Sequence, residues 1–279
     1  MIKQMLNKYD IKNDDDYYNA LREIFQEIAL AGLYHGNFFE KAACYGGMAL
    51  RIFYNLDKFS ENLDFSLLAP QQNFSLEPYF KYIKDEFESL GIGVNIENKV
   101  KKNISNIESA FLKSDANIYI LSFEYKFNLS KTIKINFEVD TNPLLDFSTE
   151  EKLLQPFSFF VRCFVPKDIF AGKIHAILFR NWKNRIKSRD WYDLEWYIKS
   201  GIKLNLKYLT ARARQSNSIG NEEYFTKELL LEMLYNKIEQ VDLENAKVDI
   251  RRFIKDDRIL NIWSREYFKL LVDRIEVYE

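Results

Sequence analysis

The chain has 279 residues, 47% of them apolar, 16% aromatic and 29% charged, with a net charge of −1 at pH 7. This composition excludes a disordered, collagen-like or uniformly cationic chain, and it supplies aromatic material for a packed core. The length slightly favours two domains over one, and nine glycines with five prolines exclude a loop-rich scaffold.

The N-terminal stretch MIKQMLNKYD has no apolar h-region, and no apolar run reaches membrane length. A cytoplasmic protein without membrane contact is therefore expected. Asp14, Asp15 and Asp16, followed by Tyr17, Leu21, Ile24, Phe25, Ile28 and Ala29, predict a capped amphipathic helix. The acidic triplet reads as cap and dipole charge rather than as a metal site. Gly32 and Gly36 are expected to loosen the chain before the short segment 41–45, which ends a helix or strand at the glycine pair Gly46-Gly47. Cys44 and Cys163 are the two cysteines; without CxxC or Cys/His spacing they read as buried free thiols. His35 and His175 carry no ligand pattern and read as structural.

After the glycine pair comes a short amphipathic run, 49–54, and then Ser60, Glu61, Asn62 and Asp64 at the head of the apolar run 65–68. Adjacent glycines let the backbone approach a polyanion closely, and a following helix adds N–H donors and its dipole. Carboxylates opening a nearby strand can hold Mg²⁺, which takes one or two protein oxygens plus the phosphates of a nucleotide. The succession reads as a nucleoside-triphosphate site. Residues 76–90 predict a second helix stopped by Gly91 and Gly93, followed by a strand at 94–100 and a polar loop at 101–109. Residues 117–127 and 132–140 alternate as strands of a hairpin turning at 128–131. Glu138 and Asp140 are two apart and so share a face of the second strand.

From Pro166 the character changes. The stretch PKDIFAGKIHAILFR predicts a helix with Pro166 at its start, and RDWYDLEWYIKSG a second closed by Gly201. Residues 204–214, 222–238, 243–254 and 264–275 read as further helices, with no strand after Val161. The expected organisation is an α/β domain over 1–165 and an all-helical bundle over 166–279. Lys173 and Arg180, seven apart, are expected to share a helix face. Between Lys173 and Arg214 stand eleven Lys/Arg and three acids (Asp190, Asp193, Glu195), a local net of +8. Trp182, Trp191, Trp196 and Tyr197 interleave these charges, either as stacking platforms for bases or as helix core.

GGMALR followed by FSENLDFSL resembles the first motif of the AbiEii/AbiGii-type nucleotidyltransferase toxins. Lys173 with Arg180, then Arg189-Asp190 and Tyr192-Asp193-Leu194, resemble that family's later motifs in order and residue type. The chain departs from the pattern at Met48, where the family has Ser or Thr, and at Asn62, where it has the first Asp of an Asp-x-Asp pair. The resemblance implies an α/β (α+β) nucleotidyltransferase-like mixed sheet with flanking helices. It also implies a metal-dependent enzyme that transfers a nucleoside monophosphate from an NTP to a hydroxyl of an RNA, such as a tRNA end, or of a protein. It assigns Mg²⁺ or Mn²⁺ to Asn62, Asp64 and either Glu138 or Asp140. It assigns the nucleotide to Gly46, Gly47, Met48, Arg51, Ser60, Lys173 and Arg180, and catalysis to Asp64, Lys173 and Asp190.

A cognate antitoxin is the further partner that the family implies. Asn62 should weaken metal binding, and Met48 removes a hydroxyl while leaving its backbone N–H. Glu61 faces the opposite side if the strand already runs there, but in a turn it could substitute. The alternative reading is a degenerate member that binds a nucleotide or a protein partner without transfer. An aminoglycoside-type enzyme of the same fold is disfavoured, because a cationic substrate wants an acidic cleft.

Overall fold

The computed structural model describes residues 1–71, 73–99, 116–123, 133–180 and 188–278, with the backbone alone for 97–99 and 116–123. The expected loop at 101–109, the hairpin turn at 128–131 and Trp182 lie outside the described residues. The chain divides into two compact units. The first comprises Met1–Asn55, Phe59–Leu145 and Thr149–Cys163; the second comprises Leu56–Lys58, Asp146–Ser148 and Phe164–Glu279.

The first unit begins with helix α1 (Ile2–Leu6) and the long helix α2 (Asp14–His35). Asn13 caps α2, its side-chain oxygen accepting from the Asp16 N–H at 2.9 Å, and the acidic triplet fills the first turn. Gly32 does not loosen this helix, which continues to His35. Its role is proximity: a Cβ at position 32 would lie 2.5 Å from the Ile83 Cα. The missing side chain lets α2 pack directly on α4 (Glu77–Ser89), the helix expected at 76–90. A short 3₁₀ turn, Phe38–Glu40, leads into strand β1 (Ala42–Tyr45), and helix α3 (Gly46–Phe53) starts on the glycine pair itself.

Strands β2 (Asn62–Leu67), β3 (Val94–Lys99), β4 (Ala116–Phe123), β5 (Ile133–Asp140), β6 (Thr149–Leu154) and β7 (Phe159–Phe164) complete a mixed sheet in the order β3-β4-β5-β2-β1-β7-β6. β2 runs antiparallel to β1 and parallel to β5, and β7 runs parallel to β1. Residue alternation decides the faces. In β5, Ile133, Ile135, Phe137 and Val139 are buried, whereas Lys134 is exposed and Asn136, Glu138 and Asp140 are half-buried. The core is rich in edge-on aromatic contacts, with the Phe38 ring 4.9 Å from that of Phe65 and Phe25 5.7 Å from Phe87. Cys44 and Cys163 are buried free thiols paired across β1 and β7.

The second unit holds helices α5 (Pro166–Phe179), α6 (Ser188–Lys199), α7 (Leu206–Gln215), α8 (Lys227–Gln240), α9 (Leu243–Ile250) and α10 (Arg265–Val272). It is not wholly helical. Two short strands, β8 (Leu204–Asn205) and β9 (Val277–Tyr278), pair in parallel, and at two residues each they are too short to show a periodicity. They also delay α7, whose N-cap Asn205 accepts from the Tyr208 N–H at 3.0 Å. The helix expected from 222 starts at Lys227 because Thr226 caps it. The helix expected to reach 254 gives way after Ile250 to a 3₁₀ turn, Arg251–Phe253. Buried Asp168 of α5 accepts from the Ser148 N–H at 2.7 Å and from the Asn205 amide at 2.6 Å, joining three separate segments. Among the described residues, no helix is long and apolar enough to cross a membrane.

Gly32→Ala should cost about 1–3 kcal/mol, because the new methyl meets α4 backbone rather than a movable side chain. Urea unfolding measures this; an unchanged midpoint would show that α4 can shift away without loss.

Candidate functional site

β1 hands the chain to α3 through Gly46, whose φ of +74° is left-handed. Tyr45 lies opposite Asp64 in the ladder, and a Cβ on Gly46 would come 2.8 Å from Asp64 Oδ2. Glycine is needed there twice over, for the backbone angle and for the space that the carboxylate occupies. The first turn of α3 (Gly46, Gly47, Met48) carries N–H groups with no intrahelical partner, beside the strand that bears Asp64. The Met48 side chain is fully buried, so only its backbone can serve an anion.

On the neighbouring strands, Asn62 registers with Asn136, Asp64 with Glu138, and Ser66 with Asp140. Residues in register on parallel strands sit about 4.8 Å apart with side chains on one face. The Asn136 amide donates to Asn62 Oδ1 at 3.0 Å, which confirms that face. Asp64 and Glu138 therefore stand side by side, and two adjacent carboxylates repel unless a cation lies with them. Mg²⁺, which completes its shell with water and phosphate oxygens, fits such a pair. Among the described residues no group of three or more His, Cys, Asp or Glu side chains gathers around one point. Asp140 Oδ1 accepts from the Asn142 N–H at 3.1 Å and shapes the end of β5. Glu61 occupies a bend one residue before β2, and the Ser60 hydroxyl donates to the Asn62 carbonyl at 3.4 Å.

Arg51, assigned by resemblance to the nucleotide, is held elsewhere. Its Nε and Nη2 donate to Glu23 of α2 at 2.5 and 3.1 Å, and its guanidinium lies 4.4 Å from the Phe59 ring centre. The Tyr9 hydroxyl donates to the same Glu23 at 2.9 Å. One turn along α2, Gln26 donates to the Ser60 carbonyl at 3.1 Å and to the Asn62 carbonyl at 3.5 Å. Glu27 is buried beside them; burial first, then the charge of Glu23, raise its pKa from 4.5 to about 8. Glu23, Gln26 and Asn136 did not stand out in the sequence. Asn136 was the accessible one, two residues before Glu138 on the same strand face.

The second unit has its own charged centre. Lys173 of α5 lies 2.6 Å from Asp190 and 2.8 Å from Asp193, both on α6. Lys58, 2% exposed, makes an ion-pair contact of 3.2 Å with Asp193, and the Tyr192 hydroxyl donates to Asp57 at 2.6 Å. Burial opposes the charge on Lys173, but Asp190 and Asp193 outweigh it and its pKa is raised. Lys58 goes the other way: burial lowers its pKa, Lys173 and Arg189 add to that, and Asp193 only partly compensates. Both acids thus pair with lysines, and Lys58 did not stand out in the sequence.

Arg180 lies one residue beyond the end of α5, in extended conformation, so it does not share a full two-turn helical face with Lys173. Stacking platforms are not available in Trp191 and Tyr197, which are core: Trp191 packs on Phe268, and Tyr197 stacks on Phe170 at 4.3 Å. His175 is also buried, next to the Ser216 hydroxyl at 2.8 Å; burial, then Arg212 and Arg180, lower its pKa to about 3. His35 pairs with Glu86.

A family model described as nucleotidyl transferase AbiEii toxin, type IV TA system, matches residues 28–271. No curated protein matches in sequence. Among solved structures, JHP933 from Helicobacter pylori aligns over 91% of this chain and 88% of its own, at 18% identity and a TM-score of 0.50. Another Helicobacter pylori structure, of a candidate nucleotidyltransferase, aligns over 90% and 91% at 18% identity and a TM-score of 0.49. At this identity the likeness to JHP933 speaks for the fold alone, a mixed α/β architecture.

Two outcomes are expected. Asp193→Ala leaves two buried ammonium groups short of a partner and should cost about 3–5 kcal/mol, more than Asp190→Ala, which leaves Lys173 with Asp193. Denaturant unfolding of both variants checks the order, and equal losses would mean that the network does not centre on Asp193. The second concerns pH. Glu27 keeps its proton in the folded state up to about pH 8, whereas the unfolded chain loses it near 4.5. Its contribution to stability is therefore full at low pH and declines as pH rises through that window. Melting temperature followed between pH 5 and about pH 8 should fall less steeply in Glu27→Gln than in the wild type.

Proposed function

The chain belongs to the family of AbiEii nucleotidyl transferase toxins of type IV toxin–antitoxin systems, and on that premise we propose that it transfers a nucleoside monophosphate from an NTP to an RNA hydroxyl, with Mg²⁺ or Mn²⁺ as cofactor. The observation that carries this reading is the placement of the Asp64–Glu138 pair beside the Gly46 turn. In the reaction the acceptor oxygen bonds to the α-phosphorus, the bond to pyrophosphate breaks, and the hydroxyl proton is released. The first turn of α3 offers backbone N–H donors to phosphate oxygens. Asp64 and Glu138 would hold the metal, which when bound neutralises charge on the phosphates and favours the ionised acceptor.

In the second unit Lys173 remains charged across the neutral range, because Asp190 and Asp193 hold it so. Both carboxylates already compensate that charge, so a phosphate would have to share the ammonium with Asp190 and Asp193. A tRNA end is the acceptor that the local excess of basic residues favours, and a cognate antitoxin is the protein partner that the family implies.

A second reading, nucleotide binding without transfer, draws on Asn62. Its neutral amide oxygen is already engaged by Asn136, which leaves fewer charged ligands for a metal.

Incubation of the purified protein with each labelled NTP, Mg²⁺ or Mn²⁺, and total bacterial RNA and protein separates the two. Under the first reading label enters RNA, and Asp64→Ala reduces transfer to background. Asn62→Asp should raise transfer about tenfold or more, the equivalent of about 1.4 kcal/mol in the barrier. Nucleotide binding by calorimetry without any label transfer would favour the second reading.

A further inference from the structure

Gln26 of α2 is fully buried. A polar amide there is costly unless its hydrogen bonds do something that an apolar side chain cannot. Only part of it is satisfied: the amide nitrogen donates to the Ser60 and Asn62 carbonyls, while Oε1 is buried with no hydrogen-bond partner among the described residues. Those two carbonyls belong to the turn that opens β2, immediately before Asp64. Three residues earlier on α2, hence on the same helix face, Glu23 grips Arg51 through two hydrogen bonds. Arg51 lies on α3, five residues after Gly46. Its guanidinium also lies over Phe59, which leads into the same turn. One rigid helix thus holds both the glycine-pair helix and the entry to the acidic strand.

We propose that Gln26, backed by the Glu23–Arg51 pair, is the positioning residue that sets the spacing between the Gly46 turn and Asp64. The inference rests on the nucleotidyl-transfer reading. Gln26 touches no substrate; it acts through the backbone of residues 60–62. Glu23 and Arg51 then serve the site from behind. A leucine at position 26 would fill the same space and remove the unsatisfied acceptor, so fold stability and site geometry separate in this one substitution.

The test is Gln26→Leu in the full chain, read by melting temperature, kcat and KM for NTP, the Mg²⁺ concentration for half-maximal transfer, and amide hydrogen exchange over residues 59–64. The melting temperature should be unchanged or higher. Exchange at the opening of β2 should quicken, the Mg²⁺ requirement rise, and kcat fall by about 10–100-fold, the usual effect of removing a residue that orients a metal ligand. Gln26→Met, unbranched and equally unable to donate, gives the same readouts should the leucine variant fail to fold. Unchanged kcat, Mg²⁺ requirement and exchange in the folded variant would overturn the positioning role while leaving the transfer reading intact. Absence of label transfer by the wild type would overturn that reading, and the inference with it.

Discussion

The parallel pairing of β2 with β5 governs everything chemical in the first unit. Because Asp64 registers with Glu138, two carboxylates that are 74 residues apart in the chain share one face without any help from loop geometry. A slip of one residue would send Asp64 to the apolar side and bring Phe65 out. The apolar alternation of β5 prevents that slip, since Phe137 and Val139 must stay buried opposite Leu63 and Phe65. Core packing and the acidic pair are thus one constraint seen from the two faces of the sheet.

Each unit treats buried polarity differently. Around α5 and α6, two lysines with two aspartates make a compact lattice in which the pKa of Lys173 rises while that of Lys58 falls. On α2 the polar groups are instead stacked along one helix, with Glu23 bonded to Arg51, Gln26 turned to backbone carbonyls, and Glu27 neutral below about pH 8. The first arrangement is locked by complementarity of sign. The second depends on one of two neighbouring carboxylates keeping its proton, because both ionised at that spacing would repel.

What could be read from the sequence follows from range. The long periodic pattern of α2 and the alternation of β5 are local signals, and both elements stand where the pattern puts them. The glycine pair and Asp64 could be found by their spacing, because that motif spans one turn and one ladder. Asp57 and Tyr192 could not: they are 135 residues apart, and nothing in the residues around either one marks the other. Gln26 looked like an ordinary polar break in an apolar stripe, since its partners are main-chain carbonyls 34 and 36 residues away. The Arg51 contact was hidden for a related reason: nothing around position 51 marks Glu23, 28 residues earlier, as its partner.

The strand order carries a consequence for synthesis. β1 lies between β2 and β7, and β7 is made of residues 159–164. A growing chain can pair β1 with β2 early, but the other edge of β1 stays bare until about ninety further residues have left the ribosome and β7 follows. An open, central strand edge is a template for pairing with a neighbouring nascent chain. Here that edge is only four residues long, Ala-Ala-Cys-Tyr, and the glycine pair turns the chain into a helix immediately after it. The same brevity that puts Gly46 beside Asp64 leaves little for a stray strand to grip, so the geometry of the candidate site and safe passage through synthesis are served by one short segment.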